Sequence, residues 1–365
     1  MQKNEILVIY GGDISAMTKS LAMEADLAGL IGYHRKRIGL KPNLVVARPA
    51  SEGATTHSEI AAGLIAYLKE NGFNNLAILE GAWVGASTSQ AFSACGYAAL
   101  AKETGAALID TKKDASRSCD CKGLSIEVCE SALEIDFMIN LPVMKGHCQT
   151  LLTCALKNNK GVIPDREKRR FHSLGLTKPI AHLNTVVRND FIVVDGICGD
   201  LDFEEGGNPV YGGRLFAARD PVLCDTWAAA QMGYTVADIP YIGLAEKLGV
   251  GSADLRAARI RELNTCQSAQ GSAVIAPTTP SGKVRALASR ITGDKACSAC
   301  YAALIFALSR LGPKEISRFR EKIGVGQGFR DKKGAIGVGQ CCSAFDAYCP
   351  GCPPSGADIL EFLRE

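Results

Sequence analysis

Short apolar runs that end in a polar residue, separated by helical patterns, set the strongest limit on how this chain can fold. Residues 6–10, 75–80, 106–110, 136–141 and 191–195 read as strands, and 37–46 as extended. Between them, 14–31 and 87–104 read as helices, and 56–59 opens another that runs to about 70. Thr56 or Ser58 is expected to cap the last of these by accepting from its free N–H groups. This β–α alternation predicts an α/β fold: a mostly parallel or mixed sheet flanked by helices, with a small C-terminal cysteine-bearing segment. Ligands of such open sheets sit beyond the carboxyl ends of the strands. Glu80, Asp110, Asn140 and Asp195 end strands and are therefore site candidates, although each alone serves equally well to end a strand or cap a helix. Residues 220–263 read as helical, and 264–282, rich in Ser, Thr, Gln, Pro and Gly, as a boundary or exposed loop. The expected parts are an α/β domain over 1–265, a linker over 266–296 and a cysteine-rich segment over 297–365. No internal repeat stands out.

Fifteen cysteines need a chemical reason. Six of them (Cys297, Cys300, Cys341, Cys342, Cys349 and Cys352) fall in the last 69 residues, which argues for a metal site there rather than disulfides spread along the chain. The other nine read as small buried hydrophobes. Thiolates suit soft iron, and four complete the shell of a [4Fe–4S] cluster. Cys297-x-x-Cys300, Gly339-x-Cys341 and Pro350-Gly351-Cys352-Pro353-Pro354 supply four, with prolines stiffening the last turn. Cys342 and Cys349 are left as neighbours, substitute ligands or inert thiols. A zinc ribbon from Cys297/Cys300 and Cys349/Cys352 has the right residue types, but 48 residues separate its halves, against roughly 15–20 in the compact form. Order and flanking residues resemble the proximal-cluster region of nickel–iron hydrogenase small subunits, over about 70 residues only.

Polar motifs fill residues 38–232. The richest stretch begins after 136–141 and packs Lys145, His147, Lys157, Lys160 and His172 between glycines and asparagines, which suits an anion such as phosphate or carboxylate. Lys145, His147 and His57 are the candidates for proton transfer, since imidazole titrates near neutrality. Lys41, Asn43, Thr56, Lys157, Asn158 and His172 are the candidates for holding the anion. Lys145, His147 and Lys157 are expected to converge on one pocket. A metal bound by His147, His172 and a carboxylate is an alternative whose spacing matches no standard pattern. The motifs KPNLV, INLPVMKGH, ALKNNKGVIPD, VVDGI and ARDPVLCDTWAAAQMG resemble the domain-of-unknown-function family 362 over roughly residues 36–235. That family is often joined to an iron–sulfur module, usually of ferredoxin type, from which this cysteine arrangement departs.

Three functions follow as expectations. The first is a redox enzyme or electron-transfer protein, with one [4Fe–4S] cluster serving an anionic small molecule and a redox partner protein. The second is a non-redox acid–base enzyme on a carboxylate, resembling lactate-racemase-type proteins at the level of fold. The third is a zinc-stabilised binding protein. A net charge of +3 gives no footprint for nucleic acid. The longest apolar run near the cysteines, residues 301–308, is too short to span a membrane, and the N-terminus lacks a signal-peptide pattern. The expected compartment is a reducing cytoplasm.

Overall fold

The computed structural model describes residues 1–264 and 282–365. The stretch expected as a boundary therefore lies, apart from its end residues, outside the described ones. In chain order the strands are β1 (Glu5–Tyr10), β2 (Ile38–Pro42), β3 (Leu76–Glu80), β4 (Ala107–Asp110), β5 (Ser116–Asp120), β6 (Ser125–Cys129), β7 (Phe137–Leu141) and β8 (Lys145–His147). They continue as β9 (Leu151–Thr153), β10 (Phe191–Asp200), β11 (Pro209–Ala218), β12 (Arg259–Glu262), β13 (Ile291–Gly293), β14 (Ile323–Val325), β15 (Ile336–Val338) and β16 (Ala347–Cys349).

One eight-stranded sheet runs β12-β1-β11-β10-β7-β2-β3-β4. Only β11 is antiparallel to its neighbours. Alternate residues of each strand feed two separate cores, as the two-residue period of a strand requires. Ile6, Val8, Leu79, Met138, Ile192, Val194 and Phe216 enter one. Leu7, Ile9, Ile78, Ile139, Phe191, Val193 and Leu215 enter the other. Helices cover both faces, so the fold is a mixed, mostly parallel α/β sheet.

Local structure departs from the sequence reading where single residues break a pattern. The helix expected over 14–31 is two, Ile14–Glu24 and Leu27–Ile31, because Asp26 turns left-handed at φ 50° and caps the second through Gly29 N. The one expected over 87–104 is likewise two, Thr88–Ala94 and Tyr97–Thr104, parted at Gly96. Helix Ser58–Glu70 has His57 as its N-cap, with no cap bond from Thr56 or Ser58. The Thr56 hydroxyl is instead committed between Asn43 N and Leu141 O, and Asp195 accepts from the His57 N–H. The helical reading of 220–263 holds for Pro221–Gln231 and Pro240–Lys247 but fails at β12. There Arg259 to Glu262 add an edge strand parallel to β1, whose charged side chains suit a sheet edge.

The C-terminal residues build a second, smaller sheet, β13-β14-β15-β16, all parallel, with three residues per strand. Helices Ser298–Arg310 and Gly356–Arg364 pack on it around a third core that includes Ile305, Leu308, Val325, Val338 and Ile359. Phe203 of the larger unit enters the same core.

Candidate functional site

Strands β2, β3, β7 and β10 all deliver polar groups at their carboxyl ends. The crevice between β2 and β7 is where chain order reverses direction across the sheet, the usual ligand position in open α/β sheets. Lys41 and Glu80 form a buried ion pair at 2.8 Å. Glu80 also accepts from Leu44 N (3.1 Å) and Gly81 N (2.7 Å), and Lys41 Nζ donates to Pro42 O (2.9 Å) and Asn158 Oδ1 (3.2 Å). Burial depresses the Lys41 pKa, and Glu80 pulls it back up in part. Gly161 passes so close that a Cβ there would lie 1.8 Å from Glu80 Oε1.

Behind this pair runs a chain of buried amides. Asn43 Nδ2 donates to Asn158 Oδ1 (2.9 Å), Asn158 Nδ2 to Asn140 Oδ1 (2.7 Å), and Asn140 Nδ2 to Asn189 Oδ1 (2.7 Å). Asn189 and Asn159 both donate to Asn184 Oδ1 (3.0 and 2.8 Å). Asn43, Asn140, Asn158, Asn184 and Asn189 each give and accept, whereas the buried Asn159 Oδ1 has no partner among the described residues.

In front of it lies a cavity lined by Asn43, Glu80, Thr153, Lys157, Asn158, Lys160, Lys168, His172 and the segment Cys297-Ser298-Ala299, among others. Lys168 is committed to Gly81 O and Ala82 O, both at 2.9 Å. Lys157 is not so committed. Its ammonium group is buried and donates only to Thr153 Oγ1 (3.2 Å) among the described residues, and desolvation lowers its pKa to about 8. Lys160 Nζ sits 3.4 Å from His172 Nε2, and desolvation with repulsion from Lys157 lowers its pKa to about 7. Neither faces a carboxylate within ion-pair distance among the described residues. The 13-residue helix Ser298–Arg310 begins at this wall, with no side-chain cap on its N-terminus. A buried and a half-buried lysine beside a helix N-terminus give the recess a positive character.

Lys145 and His147 do not enter it. Strands β8 and β9 form a hairpin that carries Lys145 Nζ to Asn43 Oδ1 (3.1 Å), Glu204 O (2.7 Å) and Ala54 O, which take all three of its protons. Desolvation and Lys157 lower its pKa to about 7. His147 Nδ1 accepts from Gln149 N (3.1 Å) and Thr150 N (3.2 Å), so the neutral ring carries its proton on Nε2, 3.2 Å from a Glu204 Oε1 that has no hydrogen bond among the described residues. His57 pairs with Asp195 at 2.8 Å. Burial opposes its charge, yet Asp195 outweighs burial and the pKa is raised. Of the expected anion-holding residues, Asn43, Lys157, Asn158 and His172 line the cavity, whereas Lys41 and Thr56 stand in the network behind it. Ser298 Oγ lies 3.3 Å from His147 Nε2 and 3.4 Å from His172 Nε2. The two imidazoles thus meet at a hydroxyl. Desolvation and the neighbouring lysines push both pKa values well below the ordinary range. Among the described residues, His, Cys, Asp and Glu ligand atoms gather to single-ion spacing at Cys154, Cys224 and Asp225, not at these histidines.

A second cavity is lined by Cys297, Cys300, Cys341 and Cys352 together with Gly326, Gln327, Arg330, Gly339, Gly351 and Arg169. It shares Val84, Cys297 and Ala299 with the first. The small sheet creates it. Cys297 follows β13, Cys341 follows β15 and Cys352 follows β16, all at the carboxyl ends of parallel strands. Gly339 (φ +90°) and Gly351 (φ +125°) take backbone angles that a side chain disfavours, just before their cysteines. Gln327 Nε2 is 3.5 Å from Cys297 Sγ, and Arg330 hydrogen-bonds Cys341. Cys342 points the other way, toward Gly324 O (3.5 Å), and Cys349 is buried in the third core. One signal went unread in the sequence: 323–329 (IGVGQGF) and 336–342 (IGVGQCC) are near copies. They are the equivalent β14 and β15 turns, with Gly328 where the second has Cys341.

The fold and the strand-end crevice define an α/β protein with a ligand cavity at the topological switch of its sheet. A model of the domain of unknown function DUF362 matches residues 38–230, more than half of the chain, and the protein belongs to that family. It is 23% identical over 228 residues to a thylakoid-associated protein of Synechocystis sp. (strain ATCC 27184 / PCC 6803 / Kazusa), covering 59% of this chain and 68% of that one. Among solved structures it is similar to the lactate racemase apoprotein from Thermoanaerobacterium thermosaccharolyticum, at 11% identity and a TM-score of 0.38, over 58% of this chain and 54% of that one. The chain therefore spans about half the racemase. Among the described residues no helix is long and apolar enough to cross a membrane.

Proposed function

We propose that this chain is an iron–sulfur protein that exchanges electrons with a small organic anion. One observation carries the reading: four thiols line a cavity that shares a wall with a recess holding Lys157 and Lys160, neither of them ion-paired among the described residues. The donor set fits a [4Fe–4S] cluster, because four cysteines on separate turns surround one space and Gln327 and Arg330 offer N–H groups to their sulfurs. A zinc ribbon needs Cys349, whose side chain belongs to the apolar core. When bound, such a cluster supplies one electron at a time.

The chain's own residues do the rest. Lys157 and Lys160 hold the anionic group, and the N-terminus of helix Ser298–Arg310, whose Ser298 N–H is given to His172 Nε2, stands beside it. The amide chain behind Asn43 and Asn158 fixes the floor of the recess. The 3.4 Å approach of Lys160 Nζ to His172 Nε2 supports a second reading, acid–base chemistry on a carboxylate, since a lysine near pKa 7 gives and takes a proton at neutral pH.

The test is anaerobic purification with iron, sulfide and zinc analysis and a visible spectrum. About four irons and four sulfides per chain are expected; stoichiometric zinc without iron overturns the proposal. Turnover that survives loss of iron would favour the acid–base reading.

A further inference from the structure

We infer that the mouth of the cysteine cavity is the docking site of an acidic one-electron carrier protein. The inference rests on the iron–sulfur reading, and it starts from charge. Residues 282–333 hold 12 Lys and Arg against 4 Asp and Glu, a net of +8 in a chain whose total is +3, which leaves −5 for everything else. The excess is not spread evenly over the fold. Arg169 and Arg330 line the cavity itself. Lys295 lies between β13 and Cys297, and Lys332 and Lys333 follow Arg330 on the same turn, all three exposed. Lys332 is tied to Asp294 at 3.1 Å, but Arg169, Lys295, Arg330 and Lys333 have no ion-pair partner among the described residues.

The cavity reaches the surface at Cys352 and Gln340, which are exposed, with Arg169 and Arg330 on its wall and Lys295, Asp331, Lys332 and Lys333 near lining residues in the chain. A cluster filling the cavity leaves no space for a small electron donor beside it. A partner has to approach from outside, over the cations, and a surface of opposite sign is steered there. One electron passes from the reduced carrier to the cluster, or back, and no proton or bond changes hands. An anionic membrane is the other acidic surface on offer. The large exposed apolar side chains (Met23, Tyr33, Leu108, Leu174, Tyr211 and Ile260) all lie outside 282–333, so the rim has nothing to insert into lipid.

The experiment uses the iron-loaded protein and an oxidised acidic plant-type ferredoxin as probe, with binding read by calorimetry and by carbodiimide cross-linking. Binding should weaken about tenfold or more between about 20 and 200 mM salt, as screening of an electrostatic contact requires. The double variant Lys295→Glu/Lys333→Glu, at exposed positions off the cavity wall, should lose a further tenfold or more with its iron content unchanged. Cross-links should map to 295–333. Equal affinity in parent and variant overturns the inference. So does binding to anionic vesicles but not to the ferredoxin, or self-association that the double variant abolishes. Absence of iron is measured separately and counts against the cluster, not against the docking surface.

Discussion

Replacing Lys157 by Met should make the ligand-free protein more stable while removing its affinity for anions. The Lys157 ammonium group is buried with one hydroxyl partner, and its pKa falls from 10.5 to about 8. That fall of 2.5 units corresponds to about 3 kcal/mol of disfavour for the charged form in the folded state. The unfolded chain keeps the proton up to about pH 10.5, the folded chain only to about 8. Unfolding therefore takes up a proton between those values, and the parent gains stability as pH rises through them. Methionine has a similar shape and no charge. The variant should accordingly be more stable by about 1–3 kcal/mol at pH 6, an advantage that shrinks above pH 8 and is nearly gone by about pH 10.5. Urea denaturation of both proteins, prepared identically and compared at about pH 6 and 9.5, reads this difference together with the upward shift of Lys145 and Lys160, whose pKa values Lys157 lowers; titrations remote from Lys157 cancel. Adding phosphate at pH 6 should raise the parent's midpoint and leave the variant's unmoved. A Lys157→Met protein that is less stable at pH 6, or that responds to phosphate like the parent, would refute the reasoning.

Glu80→Gln leaves the Lys41 ammonium group buried without its carboxylate and should cost about 3–5 kcal/mol in chemical denaturation; a loss below about 1 kcal/mol would show that Asn158 and Pro42 suffice. Gly161→Ala drives a methyl group into the Glu80–Lys41 pair and should destabilise by about 1–3 kcal/mol, with the lysine recess distorted in a crystal structure. Single Ser substitutions at Cys297, Cys300, Cys341 and Cys352 should each lower iron content, whereas Cys342→Ser and Cys349→Ser should keep it, as read by iron analysis of anaerobic preparations.

The alternation of strand and helix was legible because both faces of the large sheet are covered, and buried strands are written as unbroken apolar runs. Helix Ser58–Glu70 was legible in place and length, since its apolar positions repeat at helical spacing, but its cap was not. The breaks at Asp26 and Gly96 were not, because each is one backbone angle inside a run that remains helical in composition. Strand β12 was hidden by its charges, which an edge permits and periodicity misreads. In the site, the Cys-x-x-Cys spacing and the glycines before Cys341 and Cys352 pointed to the four cysteines that line the second cavity, while Pro350 left Cys349 looking like a rival. Lys145, His147 and Lys157 looked alike in sequence. Their fates differ because a hairpin turns the first two toward backbone carbonyls and Glu204, a long-range event with no local mark. Ser298, which touches both histidines, sat unread between two cysteines.

The wall of Val84, Cys297 and Ala299 has a consequence for how such a protein matures. The first turn of helix Ser298–Arg310 closes the lysine recess on one side and carries Cys297 and Cys300 on the other. Under the cluster proposal, whatever anchors those two thiols also sets the shape of the recess. Chains made in an iron-starved cell would then differ from loaded ones in ligand affinity as well as in colour. Anion binding would thereby report, at a distance from the cysteines, whether metal delivery had been completed.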